Sequence, residues 1–450
     1  MSTNLSAKAR AVALQGLVAG GVAVKRVQGD PIARLVTPSG RRNPYPAYRQ
    51  MRESGLVVPS MIGWVTAHHA VGNEVLRDHE RFGSAPVPDV ERPSTFLSRV
   101  MVRLRAGGEG NARMNGRRVT GDGLFDDTPD PLGDDSMIGM DPPDHTRLRR
   151  LVSKAFTPRA IEAVRGRVEE VADELLDAAP QRGFELMEGY AGVLPVVVIS
   201  ELLGIPTSDW ERVKRWGDVL ASGLDVMGGA PAHVVTPALN ELGAYLRTLF
   251  AQRRRTGGDR VVDALIADAD SEAGLTDREL VATAMLILAA GFETTVNLIG
   301  NATLAMMRNP DQVDLLREKP ELAGNLVEEA LRYESSVQMT ARMIRKDTEI
   351  AGRRVRKGSA IVVMLGGANR DPAVFADPDR FDIARENARD HMSFAGGVHY
   401  CLGASLARLE GEVALRMLFE RHPALRLDGK VERGKGLILR GPKRLPLRLS

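Results

Sequence analysis

The chain has 450 residues and is 43% hydrophobic, enough for one large domain or two to three small ones. A formal net charge of +3 and an aromatic fraction of 4% give no support to nucleic-acid binding, by electrostatics or by base stacking. The single cysteine excludes a disulfide framework, a cysteine-built zinc site and an iron–sulfur cluster, and it suits a reducing cytoplasm.

Residues 11–24 are apolar but fall short of the about 18–20 residues that a membrane-spanning helix needs. Lys8 and Arg10 precede them, yet no small-residue cleavage site follows. They are read as a short docking helix in an N-terminal extension, residues 1–40, whose membrane contact is at most peripheral. The main domain is expected over residues 41–450. Pro44 and Pro46 lead into a short helix ending at Gly55; Leu56–Thr66 has β-like content, and Ala70–Arg77 reads as helix. Residues 82–140 read as a long, lid-like loop. Its basic half (Arg99, Arg103, Arg105, Arg113, Arg117, Arg118) precedes an acidic half (Asp122, Asp126, Asp127, Asp130, Asp134, Asp135). Gly107, Gly108 and Gly110 form no phosphate loop, because no Gly-Lys-Ser/Thr follows. Helical periodicity then dominates from Thr146 to Met307, with interruptions at Pro158, Gly204–Pro206, Gly228–Pro231 and Gly257-Gly258. Short β-like pieces occupy residues 349–355, 360–364 and 436–449. The order predicts a mainly α domain with small peripheral sheets, without internal repeats or room for a flavin or iron–sulfur module.

Four stretches carry chemistry. In Asp141-Pro-Pro-Asp-His145-Thr-Arg-Leu-Arg149, a proline pair and a basic run open a helix, with His145 and Arg149 one turn apart. Taken alone this is an ordinary solvated face. Thr276-Asp-Arg-Glu279 is a capping box. The helix it starts is expected to run unbroken to Asn309, roughly 50 Å at about 1.5 Å per residue. Leu280–Ala290 is apolar almost all round, which puts this rod in the domain centre. Gly291 and Glu293 interrupt it, at a cost of about 1 kcal/mol for the glycine and more for an unpaired buried carboxylate. By themselves they read as a helix irregularity with Glu293 turned to a solvated groove.

In Glu328-Glu329-Ala-Leu-Arg332, Glu328 and Arg332 read as an ordinary i,i+4 surface pair, while Glu329 and Arg332 share a face at i,i+3. Residues 394–403 read Phe-Ala-Gly-Gly-Val-His-Tyr-Cys-Leu-Gly. Cys401 lies between a glycine-rich turn and an apolar helical run, where the first helix amides favour thiolate and lower the thiol pKa. Gly396 and Gly397 suit a tight turn, and Gly403 lets a flat ligand approach. A thiolate so placed suits axial ligation of a haem iron. His68, His69 and His391 lack a second ligand at metal spacing and read as solvated or structural.

Phe394, Gly397, Cys401 and Gly403 resemble the haem-binding signature of the cytochrome P-450 superfamily, with Ala395 where the family usually has glycine. The other stretches match the family's motifs in order, over residues 41–450. The resemblance implies a single large domain with a long central helix over haem b, ligated by Cys401. Ala290-Gly-Phe-Glu-Thr294 would be the oxygen-activating motif: the Thr294 alcohol would hydrogen-bond dioxygen, and Glu293 would relay protons from water. His145, Arg149, Arg342 and His399 would hold the haem propionates. Glu329, Arg332 and, from a later loop, Arg380 would form a structural lock. Met285, Leu286, Ala289, Ala290, Val337, Met339 and Thr340 would line an apolar substrate pocket, with Ser336 where many bacterial members have proline.

The implied activity is a soluble, cytoplasmic monooxygenase hydroxylating a lipophilic molecule of fatty acyl, terpenoid, steroid or polyketide type. Its electrons would come from a ferredoxin and a ferredoxin reductase, docking on Arg147, Arg150, Lys154 and Arg408. Two other readings stay open: a peroxide-driven haem-thiolate enzyme, which usually has Arg-Pro in place of the acid–alcohol pair, and a non-enzymatic haem or lipid sensor.

Overall fold

The Thr276 hydroxyl accepts the Glu279 N–H at 3.1 Å, and the Glu279 carboxylate accepts the Thr276 N–H at 2.8 Å. This reciprocal cap starts the helix Asp277–Gly291. The computed structural model describes residues 24–87, 112–114, 117–119, 128–133, 135–180, 182–223, 232–258, 260–271, 274–434 and 436–449. The N-terminal residues 11–23, Arg103, Arg105, Asp122, Asp126, Asp127, Asp134 and the break at 228–231 lie outside the described residues.

The rod is interrupted once, at the irregularity that Gly291 and Glu293 mark in the sequence. Asp277–Gly291 ends at Phe292 (φ −102°, ψ −45°), and Glu293–Arg308 begins immediately after it. The Thr294 and Thr295 hydroxyls donate to the Ala290 and Gly291 carbonyls at 3.0 and 3.4 Å. Side-chain donors of this kind compete with the helix's own N–H groups, and glycine adds no packing to oppose the break. The span Asp277–Arg308 is long and apolar enough to cross a membrane, but 83% of its most apolar window is buried in the protein.

Around these two helices pack Leu194–Leu202, Trp210–Gly223, Ala323–Tyr333 and Ala404–Arg421. Ile199, Trp216, Leu298, Leu326 and Val413 join one continuous apolar core. A five-stranded sheet stands beside it in the order Val58–Ser60, Gly63–Thr66, Ala360–Val363, Thr340–Ile344, Phe82–Gly83. Only the pairing of Gly63–Thr66 with Ala360–Val363 is parallel. The sheet therefore carries Arg342 at the edge of the helical body. Ile32, Ala33 and Leu35 pack with Tyr48, Met51 and Met61, so one apolar cluster spans position 41.

Two pieces of the expected loop 82–140 are ordered as strands. Phe82–Gly83 closes the large sheet, and Ala112–Met114 pairs with Arg117–Val119.

Candidate active site

The cysteine loop is closed by its own backbone. The Cys401 N–H donates to the Phe394 carbonyl at 3.0 Å. Gly397 turns the chain at φ +66°, and a Cβ there would sit 2.1 Å from the Leu76 carbonyl oxygen, so no side chain fits. Ala395 adopts φ +57°, a left-handed conformation in which alanine is strained. Gly403 caps Ala404–Arg421, and a Cβ on it would meet no atom within 4 Å. The open side of the loop thus lies beside the sulfur, where Cys401 is accessible. Burial pushes its thiol up, against the Gly403 N–H and the charges of Arg149 and Arg408. The expected lowering is therefore corrected: the amide does act on the sulfur, but desolvation outweighs it.

Midway along the buried central helices, Ala290 is exposed and Thr294 half-buried. Being four residues apart they share a face, and that face opens onto space while Ala289 and Phe292 stay in the core. Glu293 points elsewhere. Its carboxylate is buried and pairs at 3.0 Å with Lys443, whose side chain is 63% exposed.

The helix Asp144–Ser153 brings His145 to within 4.3 Å, ring to ring, of His399. Both His145 ring nitrogens are buried without a hydrogen-bond partner. Burial and the charge of Arg149 lower its pKa. His399 is pushed down to about 3 by burial, Arg342 and His145. Burial lowers Arg342 to about 10 and also lowers Arg149, which Cys401 partly offsets. Asp141 is the carboxylate facing this group, 3.9 Å from His399, and its other ties are to the Ser84 and Ala85 amides and to Arg345. Four nitrogen-bearing side chains thus crowd one another with too little anion among them. The orphaned His145 nitrogens and the two guanidiniums of Arg149 and Arg342 fit the two carboxylates of a haem.

The lock differs from expectation in one member. Glu329 and Arg332, both with wholly buried side chains, pair at 2.7 Å. The third group is Arg385, whose Nε lies 3.3 Å from Glu329. Arg380 offers only its backbone carbonyl, to Arg332 at 2.9 Å, while its side chain is 62% exposed. The turn at Asp377 (φ +44°) aims the backbone of 378–380 inward, which turns the Arg380 side chain out.

Glu328 is also buried rather than part of a surface pair. It binds His391 Nε2 at 2.9 Å and Arg408 at 2.7 Å. Arg408 is therefore engaged inward and not a free docking charge. Of the other basic positions, Arg147 pairs with Glu279, Lys154 lies 3.5 Å from Asp268, and Arg150 is exposed. Arg385, the partnered Glu328 and Lys443 escaped sequence reasoning; the signal for Glu328 was the adjacent carboxylate pair on an amphipathic helix.

Among the expected pocket residues, Met285 has no exposed surface and belongs to the core, because it lies on the helix face away from Ala290. Leu286 and Ala289 are buried, and Val337, Met339 and Thr340 are half-buried. Val337 bridges to Leu439, and the Ser336 hydroxyl is buried without a partner.

A cytochrome P-450 family model matches residues 231–323 and 316–432. The chain is 39% identical over 452 residues to cytochrome P-450 140 of Mycobacterium tuberculosis, covering 98% of this chain and 97% of that one. It is 42% identical over 330 residues to a vitamin D(3) 25-hydroxylase of Pseudonocardia autotrophica, covering 72% and 79%. The crystal structure of Mycobacterium smegmatis CYP164A2 with econazole bound superposes with a TM-score of 0.80 at 36% identity, over 93% of this chain and 99% of that one. Similarity of that extent along nearly the whole length marks common descent: the chain belongs to the cytochrome P-450 family of haem-thiolate monooxygenases.

Proposed function

We propose that this monooxygenase hydroxylates an unactivated C–H bond of a lipophilic small molecule, with Cys401 as the axial thiolate. Haem b, when bound, supplies the iron at which dioxygen is cleaved, one oxygen atom entering the substrate and the other leaving as water. His145, Arg149, Arg342 and His399 hold its propionates through charge-assisted hydrogen bonds. Thr294 Oγ1 keeps its lone pairs for a proton donor while its own hydrogen rests on the Ala290 carbonyl. Glu293 holds a proton-exchanging carboxylate between the core and the water around Lys443. Glu329, Arg332 and Arg385 keep the underlying chain rigid.

The crowding of His145, Arg342 and His399 beside the loop of the sole cysteine carries this reading. Leu286, Ala290, Val337, Met339 and Thr340 would give an apolar lining, which supports an aliphatic substrate of fatty acyl, terpenoid, steroid or polyketide type. The hydroxylase named for vitamin D(3) among the relatives supports the same class. Electrons come from a ferredoxin and its flavoprotein reductase, with Arg150 and Lys154 in the docking face.

The test is to titrate the haem-loaded protein with panels of fatty acids, steroids, terpenoids and polyketide fragments while following the Soret band. A saturable low-spin to high-spin shift with one panel, followed by a hydroxylated product with ferredoxin and reductase, is expected. Failure of every panel, with a thiolate-type carbon monoxide spectrum intact, overturns the substrate class.

A further inference from the structure

Glu328 and Glu329 are neighbours on one helix, yet they serve different structures. Glu329 joins Arg332 and Arg385. Glu328 reaches the cysteine loop. Arg408 grips it with two bonds, Nε at 2.7 Å and Nη2 at 3.2 Å, and His391 adds a third at 2.9 Å. The remaining donor of Arg408, Nη1, goes to the Tyr400 hydroxyl at 3.1 Å, on the residue next to Cys401. Its guanidinium carbon stands 4.5 Å from the centroid of Phe394, whose carbonyl accepts the Cys401 N–H. One guanidinium therefore touches both ends of the loop that presents the sulfur, and a buried carboxylate fixes its plane.

We infer that Glu328 and Arg408 form an oriented ion pair, cationic end toward Cys401, that sets the electron donation of the thiolate and hence the reduction potential of the haem iron. The inference rests on Cys401 being the axial ligand. Reduction adds one electron to an iron already carrying an anionic ligand, and a fixed cation nearby stabilises that added charge. Glu328 tempers the cation while holding it in place. Arg408 is a positioning residue, and its one-third exposure leaves an alternative role in partner docking to be tested.

The test uses the full-length, haem-loaded protein and its spectroelectrochemical reduction potential, after the wild type has given a thiolate-type carbon monoxide spectrum. Arg408→Gln is expected to shift the potential negative, and Glu328→Gln to shift it positive by leaving Arg408 uncompensated. The double variant should return toward the wild type, and Arg408→Lys, which keeps the charge, should reverse most of the shift seen in Arg408→Gln. Shifts of the same sign in both single variants mean a mere brace and overturn the inference. An unchanged potential in Arg408→Gln with slower reduction by ferredoxin assigns Arg408 to docking and also overturns it. If Glu328→Gln does not fold, the Gln and Lys variants of Arg408 decide, since equal potentials in those two refute a charge effect. A wild type lacking the thiolate spectrum overturns the ligand reading itself, which is a different failure.

Discussion

The carboxylate of Glu293 lies 3.0 Å from the ammonium of Lys443, so a buried acid of the central helix is joined to the surface by one ion pair. Its neighbour Thr294 shares the open face with Ala290. Acid and alcohol thus make separate ties, Glu293 to the exposed Lys443 and Thr294 to the Ala290 carbonyl. Positioned proton transfer contributes about 10²–10⁴-fold. Glu293→Gln is therefore expected to lower kcat about a hundredfold, with haem content and the substrate-induced Soret shift unchanged. Lys443→Met should cost much less, because water still reaches the carboxylate. Equal turnover in Glu293→Gln and wild type would place the proton route elsewhere.

The corrected lock separates two arginines five residues apart. Arg385 contacts the wholly buried Glu329, whereas the Arg380 side chain reaches only Asp382 at 3.9 Å. Removing one partner of a buried ion pair costs about 3 kcal/mol, and an exposed side chain with one distant partner within about 0.5 kcal/mol. Arg385→Ala should lower the denaturation midpoint and the haem content together; Arg380→Ala should change neither. The reverse ranking would reinstate Arg380.

Burial by itself would push the Glu328 carboxyl up, but its bonds to His391 and Arg408 hold it down to about 2, from 4.5. A carboxyl lowered on folding stabilises the native state fully above its unfolded pKa and progressively less as pH falls through the folded one. The contribution is on the order of 3 kcal/mol, lost between about pH 4.5 and pH 2. Glu328→Gln should flatten that part of the stability–pH profile measured by chemical denaturation. A mutant curve parallel to the wild type throughout the acid range would refute it.

Ala395 sits at φ +57°, where an L side chain costs about 1–2 kcal/mol. Glycine removes that strain but adds about 0.4–1 kcal/mol of unfolded-chain entropy to lose. Ala395→Gly is therefore expected to stabilise the protein by about 0.5–1 kcal/mol. A destabilised variant would mean the Ala395 methyl, which packs against the apolar cluster of the sheet, matters more than its backbone.

Local sequence rules worked where the deciding contact was local. The Thr276 capping box, the helix ending at Gly55 and the Cys401 loop are each made within a few residues, and all are found. The helix break was signalled by Gly291 and Glu293, although its position at Phe292 depends on the Thr294 and Thr295 hydroxyls competing for specific carbonyls. What failed was partner choice across long separations. Glu329 selects Arg385 over Arg380, and Glu328 selects Arg408 at a separation of 80 residues, through turns whose geometry no periodicity encodes. The Cys401 thiol misled for another reason: helix position predicts the sign of the amide effect, but burial is a property of the whole fold.

The cation cluster makes a prediction that changes sign with the cofactor. The guanidinium of Arg342 is buried, and its hydrogen bonds go to the Thr340 hydroxyl at 3.3 Å and the Ala341 carbonyl at 2.9 Å. Burial pulls its pKa down to about 10, a mark of a charge poorly compensated by its surroundings. In apoprotein that charge is a liability, so Arg342→Met should leave stability unchanged or raise it. With haem bound, the same side chain supplies a charge-assisted hydrogen bond to a carboxylate, worth about 2 kcal/mol, and its loss should speed haem release about thirtyfold. Haem transfer to apomyoglobin reads the second quantity, and denaturation of apoprotein the first. A variant less stable as apoprotein but unaltered in haem release would show that Arg342 braces the sheet and does not hold a propionate.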